Sequence, residues 1–223
     1  MRQVTKGIVG GILLSLSAVA AAATPYIEGQ VGYFMPADVS TETYSGTSSG
    51  ITFTNLKGDL EYENDFAFGA EVGVSLTNGW RFGLSYKDID LSFDSGSVSG
   101  SATDGTTTIN ASTGVSRADV DALGLTFDSG ASLMLVSAYY DFNNGSDTTP
   151  FVGFGVGQAD VDNLQSNENA MAISAGLRHD LESNWFISAK ASYVQIDGGE
   201  DKLGIQYEDY DIYLLDLGVG LAF

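Results

Sequence analysis

The chain has 223 residues, a length that accommodates one domain. It contains no cysteine, so disulfide frameworks, thiol nucleophiles and thiolate metal sites are excluded. Its 29 acidic residues against nine lysines and arginines give a formal net charge of −20, which argues against nucleic acid as a partner because phosphate binding needs clustered cations.

Residues 1–23 have the pattern of a secretory signal peptide. Arg2 and Lys6 form a basic start, residues 8–20 are apolar, and three alanines follow. We therefore expect cleavage after the last of these alanines and one mature domain over residues 24–223. Loss of the two basic residues leaves seven cations against 29 acids, a formal charge of −22. The alternative is a retained anchor, but the apolar stretch is shorter than the roughly 20 residues of a membrane-spanning helix.

The mature chain then resolves into segments in which apolar and polar residues alternate, the period-two pattern of half-buried strands. No apolar run is long enough for a membrane-spanning helix. Eight strands, an even number, are typical of a bacterial up-and-down barrel. The fold predicted is therefore all-β: an eight-stranded antiparallel up-and-down transmembrane β-barrel with long extracellular loops. We predict strands over residues 25–36, 64–76, 80–93, 131–142, 150–160, 168–181, 185–197 and 210–223.

The distribution of large and small residues within the strands favours a membrane barrel over a soluble one. In the last strand Leu217, Val219, Leu221 and Phe223 share one face, whereas the other face carries mostly small residues and Asp216. A narrow membrane barrel turns its apolar bulk towards lipid and fills its lumen with glycines and charges. The alternative is a soluble, lipocalin-like barrel, in which the bulky apolar face points into the core and the face with the charges points to water.

The predicted links between strands alternate strictly between short and long. This asymmetry is typical of outer-membrane barrels, which have short periplasmic turns and long extracellular loops. Residues 101–116 are rich in Thr, Ser and Gly and could form a hairpin tip. The short links are 77–79, 143–149 and 182–184, and the long ones are 37–63, 94–130, 161–167 and 198–209.

Four aromatic residues lie directly after short turns or at the equivalent place on the first strand. They are Tyr26, Trp80, Phe151 and Trp185. Aromatic side chains collect at the membrane–water interface. We predict that these four form a girdle at the periplasmic rim.

Charged residues on the small-residue face predict a network inside the barrel. Charges in a narrow, poorly hydrated lumen are tolerated only when they are paired. We expect a plug of salt bridges that closes the lumen; the alternative is a narrow ion path in which the pairs rearrange. The candidate residues are Glu28, Glu71, Arg81, Lys87, Arg178, Lys190 and Asp216, with Asp180 as a further possibility.

Several segments resemble the OmpA-like and opacity-type outer-membrane β-barrel family. They are Asp65–Ala70, Thr77–Arg81, Ala138–Phe142 and Pro150–Gly157. The resemblance implies an eight-stranded porin-like surface protein in the cell outer membrane. It also implies that the terminal strand is the signal read by the barrel assembly machinery. The residues concerned are Leu217, Val219, Leu221 and Phe223.

The sequence predicts no catalytic, cofactor-binding or metal-binding residues. His179, the single histidine, falls beside a predicted periplasmic turn and lacks a nucleophile and an acid in the arrangement of a triad. A lipid-modifying enzyme is therefore only a distant alternative. Acidic pairs in the loops, such as Asp119 and Asp121, could bridge calcium to lipopolysaccharide phosphates, but a solvated acidic surface is the simpler interpretation.

The function favoured by these observations is that of a structural or surface-interaction protein, similar to an adhesin or antigen. It would present loops 37–63 and 94–130 to a host or envelope protein. The other expected partners are outer-membrane lipid, lipopolysaccharide and the assembly machinery. A small passive pore for ions or small solutes is the alternative.

Overall fold

The computed structural model describes residues 23–122, 129–143, 145–162, 164–202 and 204–223. The predicted signal peptide lies outside these ranges except for Ala23, where the first strand begins. Within the described ranges, no helix combines the length and apolarity needed to cross a bilayer.

Almost all regular structure in these ranges is β-strand. One short helix, α1, spans Arg117–Ala122, and a 3₁₀ turn spans Glu182–Asn184. In chain order the strands are β1 Ala23–Pro36, β2 Val39–Ser40, β3 Tyr44–Ser48, β4 Ile51–Tyr62, β5 Asp65–Leu76, β6 Trp80–Leu91, β7 Phe93–Thr103, β8 Thr108–Ser116, β9 Ser129–Asp141, β10 Thr148–Val161, β11 Glu168–Asp180, β12 Trp185–Ile196 and β13 Tyr210–Ala222.

Eight of these strands form a closed antiparallel barrel in the order β1-β5-β6-β9-β10-β11-β12-β13. The barrel closes where β13 pairs with β1, and Tyr26 lies opposite Ala222 in that register. Full closure removes the unpaired edges that an open sheet would expose to lipid. The predicted eight-stranded barrel is confirmed, and the strand bounds agree with the prediction to within two residues.

The two ends of the barrel differ in their connections. At one end, here called the short-turn end, turns of a few residues join β5 to β6, β9 to β10 and β11 to β12. At the other, the long-loop end, the links contain secondary structure of their own. Strands β2, β3, β4, β7 and β8 form a second sheet, here called the loop sheet. Because β4 leads into β5 and β7 follows β6 after one residue, the loop sheet extends the β5–β6 hairpin beyond the barrel.

The outer surface of the barrel carries a band of large apolar side chains from all eight strands. A soluble protein rarely exposes a continuous apolar surface of this extent, whereas lipid requires one. The soluble, lipocalin-like alternative is therefore wrong. One member from each strand, all at least 40% exposed, is Ile27, Phe68, Leu84, Val136, Phe154, Ile173, Ile187 and Leu217.

The inside of the barrel has two chemically different halves. The half nearer the short-turn end holds charged and hydrogen-bonding side chains, here called the charged cluster: Tyr26, Glu28, Glu71, Arg81, Lys87, Tyr139, Asp141, Arg178, Lys190 and Asp216. The half nearer the long-loop end holds the apolar cluster: Phe34, Ala67, Ile89, Leu133, Leu135, Ala159, Ala170, Ala172, Val194, Ile196, Ile212 and Leu214. A lumen of glycines and charges was expected throughout, so this second half differs from the prediction.

Candidate functional site: barrel interior and loop sheet

Glu71 is the centre of the charged cluster. Its side chain is 1% exposed. Tyr26 donates a hydrogen bond of 2.5 Å to Oε1, and Tyr139 donates one of 2.8 Å to Oε2. Arg81 Nη1 lies 3.8 Å from Oε1 and Lys190 Nζ lies 3.9 Å from Oε2. The buried carboxylate is therefore both hydrogen-bonded and charge-compensated, as burial of a charge requires.

Arg81 connects this carboxylate to the short-turn end. Its Nη2 and Nε atoms donate to Asp141 at 3.1 and 3.2 Å, in a fork-like pair of hydrogen bonds. The guanidinium carbon lies 4.3 Å from the ring centre of Tyr139 and 4.7 Å from that of Phe151. Arginine suits this position because its planar cation can pair with a carboxylate and stack on rings at the same time.

A second ion pair lies towards the middle of the barrel. Lys87 Nζ donates to Asp216 Oδ1, and Lys190 Nζ lies 3.8 Å from the other oxygen of the same carboxylate. Because Lys190 also approaches Glu71, it links the two carboxylates across the interior. The structure thus brings together five of the seven predicted lumen charges through direct ion pairs: Glu71, Arg81, Lys87, Lys190 and Asp216.

The remaining two predicted charges also point inwards but make other contacts. Ser188 donates to Glu28 at 2.5 Å, and Gln30 donates to the same oxygen at 3.3 Å. The Arg178 guanidinium lies 3.7 Å from the ring centre of Phe186 and pairs with Asp180 at 2.9 Å. Asp180 itself is 58% exposed, so it lies at the rim of the barrel rather than within the lumen.

Two residues of the predicted girdle are inside the barrel, which corrects that prediction. Tyr26 is 2% exposed and Phe151 is 3% exposed. Tyr26 lies two residues before Glu28, and side chains two apart on a strand without a bulge point to the same face. Neighbouring glycines make room for the rings: a Cβ at Gly73 would lie 2.6 Å from the Tyr26 ring, and one at Gly176 would lie 2.6 Å from the Phe151 ring.

The two tryptophans of the predicted girdle do face outwards at the short-turn end. Trp80 and Trp185 are 43% and 48% exposed. Trp80 contacts Tyr140, with ring centres 5.4 Å apart. The four terminal-strand residues predicted as the assembly signal likewise lie on or beside the outer face: Leu217, Val219, Leu221 and Phe223.

Side chains fill the interior at the level of the charged cluster. The cavities beside these residues measure about 10 and 20 Å³. A single water molecule needs about 10–15 Å³, so neither cavity is large enough for a hydrated ion. The arrangement can brace the barrel and block the lumen.

The loop sheet contains the β7–β8 hairpin, and β8 is its edge strand among the described residues. At the hairpin tip, Asp104 accepts backbone N–H bonds from Thr107 at 2.7 Å and Thr106 at 2.8 Å, which lowers the pKa of its carboxyl group. Strand β8 pairs with β7, and none of the other described strands pairs with its second edge. Its nine residues include no charge and no proline. Ile109 on this strand is 63% exposed.

His179 lies where the sequence placed it, beside a short turn. Its Nδ1 shares a hydrogen bond of 2.8 Å with the Thr148 hydroxyl. Across the part of the chain that the structure describes, no three His, Asp or Glu side chains form a group that could hold a metal ion.

Sequence reasoning missed the aromatic and acidic partners of the charged cluster. Tyr139 and Asp141 are on the same face of β9, and Phe186 is on the same face of β12 as Lys190. Period-two counting from Lys190 would have placed Phe186 inside. Strand β9 carries none of the predicted lumen charges, so it offered no such starting point for Tyr139 and Asp141.

Two solved structures show the same fold. The crystal structure of Neisserial surface protein A matches with a TM-score of 0.50 and 13% identity, covering 90% of this chain and 99% of that one. The outer membrane protein OprG from Pseudomonas aeruginosa matches with a TM-score of 0.52 and 15% identity, covering 91% of this chain and 96% of that one. No curated protein sequence shows significant similarity to the chain.

A family match extends over nearly the whole sequence. Residues 9–223 match the family described as outer membrane protein beta-barrel domain. The closed eight-stranded barrel and the apolar outer band are what such a domain requires. Membership implies that the protein resides in the outer membrane. The chain belongs to the outer membrane protein β-barrel domain family.

Proposed function

We propose that this protein is a surface-interaction barrel: it displays the loop sheet outside the cell, and its lumen does not conduct. The observation that carries the proposal is that side chains fill the barrel lumen while two strands of the loop sheet extend the barrel wall beyond the membrane-facing part. Charged side chains pair across the lumen around Glu71, while β4 and β7 continue the wall beyond the barrel. A pore would need the opposite arrangement, with an open lumen.

The open edge of β8 is the part of the loop sheet best suited to a protein partner. Natural proteins protect exposed edges with charges, prolines or bulges, whereas β8 has neither charge nor proline. An extended peptide can add to such an edge through backbone hydrogen bonds. Because Asp104 precedes β8 at the hairpin tip and Asp119 and Asp121 follow it, we expect the partner strand to carry lysine or arginine at its ends.

Cysteine labelling tests the display of the loop sheet, since the natural chain contains no cysteine. A Thr106→Cys variant places a thiol at the tip of the β7–β8 hairpin, and Ser183→Cys places one in a short turn. We expect a membrane-impermeant maleimide to label the first variant on intact cells and the second only after permeabilisation. Labelling of Ser183→Cys on intact cells would show that the short turns face outwards and would contradict the proposal.

Planar bilayer recordings test the closed lumen. We expect no steady openings from the natural protein. An Arg81→Ser, Lys190→Ser double variant removes two bulky cations from the charged cluster, and it should also stay closed because the apolar cluster still fills the other half of the lumen. Steady openings of the natural protein would favour the small-pore alternative instead.

We also propose that the terminal residue contributes to recognition by the assembly machinery. Phe223 is 67% exposed at the end of the closing strand. Replacing it with serine should lower the amount of heat-modifiable, folded protein in outer membranes several-fold. Phe142→Ser is the matched control, because Phe142 is also an exposed aromatic residue at the short-turn end. Equal amounts of folded protein for Phe223→Ser and the natural chain would contradict this role.

A further inference from the structure

A cavity of about 90 Å³ lies at the long-loop end of the barrel interior, next to the apolar cluster. It is several times larger than the cavities beside the charged cluster. Its walls are barrel side chains, almost all apolar. They include Phe34, Ile89, Leu133, Ala159, Ile196 and Ile212.

Residues from three separate links cover this cavity. Val39, Tyr62, Leu164 and Tyr207 contribute to the lining from outside the barrel strands. The cover is tied together: the Glu208 backbone N–H donates to Ser40 at 2.9 Å, and Thr41 forms a backbone bridge with Tyr207. These links therefore form a partial roof over the cavity at the mouth of the barrel.

The charges around the cavity restrict what it could accept. Asp211 lines it, and this carboxylate already accepts a hydrogen bond of 2.6 Å from Tyr193. Asp201, next to the roof, accepts a hydrogen bond of 3.3 Å from Tyr207. Acidic groups at the rim and apolar walls below disfavour a carboxylate or phosphate and favour an apolar body without negative charge.

We propose that this cavity is a binding site for the apolar end of a small uncharged or cationic molecule, such as one that carries a single aromatic ring. Protein interiors are normally packed without voids of this size, and the charged cluster below is packed in that way. A dry apolar cavity can take up an aromatic molecule of matching size. The site is separate from the loop-sheet edge of β8, so it does not depend on the surface-interaction proposal.

Methyl NMR on the full mature barrel in lipid nanodiscs tests the site with three ring probes of similar size: toluene, benzylamine and benzoate. We expect saturable nuclear Overhauser contacts from toluene and benzylamine to the methyl groups of Ile212 and Leu133. Binding of benzoate should be at least tenfold weaker because of the acidic rim. Contacts confined to lipid-facing methyl groups such as those of Leu215 would overturn the proposal, as would equal binding of benzoate.

A pair of alanine variants separates binding in the cavity from partition into lipid. Ala131→Phe adds a ring to the cavity lining, whereas Ala175→Phe adds one to the lipid-facing side of β11. We expect the first to weaken toluene binding at least tenfold and the second to leave it unchanged. Should Ala131→Phe lose heat-modifiable mobility, Ala159→Leu fills the same cavity with a smaller side chain. Unchanged binding in a folded cavity-filling variant contradicts the proposal.

Discussion

The two halves of the barrel interior solve the same packing problem with different chemistry. Near the short-turn end, Glu71 is surrounded by two cations and two tyrosines that together satisfy its charge and its hydrogen-bonding capacity. Near the long-loop end, the inward side chains are apolar, and Phe34 and Val194 are fully buried. The first half depends on complete pairing, the second on burial of apolar area. The difference teaches that a period-two strand pattern does not by itself reveal what fills a lumen.

Removing Glu71 should have the largest effect. Glu71→Ala leaves Arg81 and Lys190 with less charge compensation in a buried site, and we expect the free energy of unfolding to fall by about 3–5 kcal/mol. Reversible guanidinium unfolding in lipid vesicles measures this change. Asp180→Ala, at the exposed rim, is the matched control and should change stability by less than about 0.5 kcal/mol. If both variants lower the free energy of unfolding by a similar amount, the buried ion pairs around Glu71 do not stabilise the barrel more than an exposed carboxylate does.

Truncating the apolar cluster should have the next largest effect. Leu214 is 2% exposed on the inward face of β13, and Leu214→Ala should lower the free energy of unfolding by about 2–5 kcal/mol through lost burial and a residual cavity. The same unfolding measurement applies. Leu215→Ala removes a neighbouring leucine from the lipid face, where lipid can fill the space, so its cost should be smaller. A larger loss of unfolding free energy in Leu215→Ala than in Leu214→Ala would contradict the role of the apolar cluster in stabilising this half of the barrel.

High pH should weaken the roof over the apolar half. Burial of the phenol, and secondarily the negative charge of Asp201, raise the pKa of Tyr207 from its usual 10 to about 12. The folded state therefore favours the neutral phenol, and this contribution to stability is present below pH 10 and lost as pH rises from about 10 through 12. The measurement is an ultraviolet titration of tyrosinate in the natural chain and in Tyr207→Phe. The difference between the two curves should show one group titrating near pH 12. A difference curve centred near pH 10 would contradict the burial of the Tyr207 phenol beside Asp201.

Breaking the surface ion pair of the roof should have the smallest effect. Lys57 and Glu208 are 3.3 Å apart, with side chains 33% and 50% exposed. Lys57→Ala should cost at most about 1 kcal/mol, because exposed pairs are screened by water and salt. Unfolding at low and high salt measures this, and the small difference between natural chain and variant should shrink at high salt. A large, salt-independent loss would mean that Lys57 has another structural role.

Much of the barrel could be predicted because period-two alternation and link lengths are local properties of the chain. The outward face of β13 and the alternation of short and long links both follow from them. The charged cluster was partly predictable for the same reason, since charges on the small-residue face have to pair inside a narrow lumen. Asp141 escaped prediction because it lies at the end of a strand, beside a turn where an acidic residue needs no special explanation.

The sequence by itself determined which segments become the barrel strands and which side chains of a strand share a face, because strand geometry sends successive side chains to opposite sides. Only the tertiary structure decided that the rings of Tyr26 and Phe151 fit inside the barrel, since the space for them is supplied by glycines on other strands, Gly73 and Gly176. It also decided that links distant in sequence join into the loop sheet and the roof. These outcomes depend on strand register and barrel closure, which bring together residues far apart in the chain.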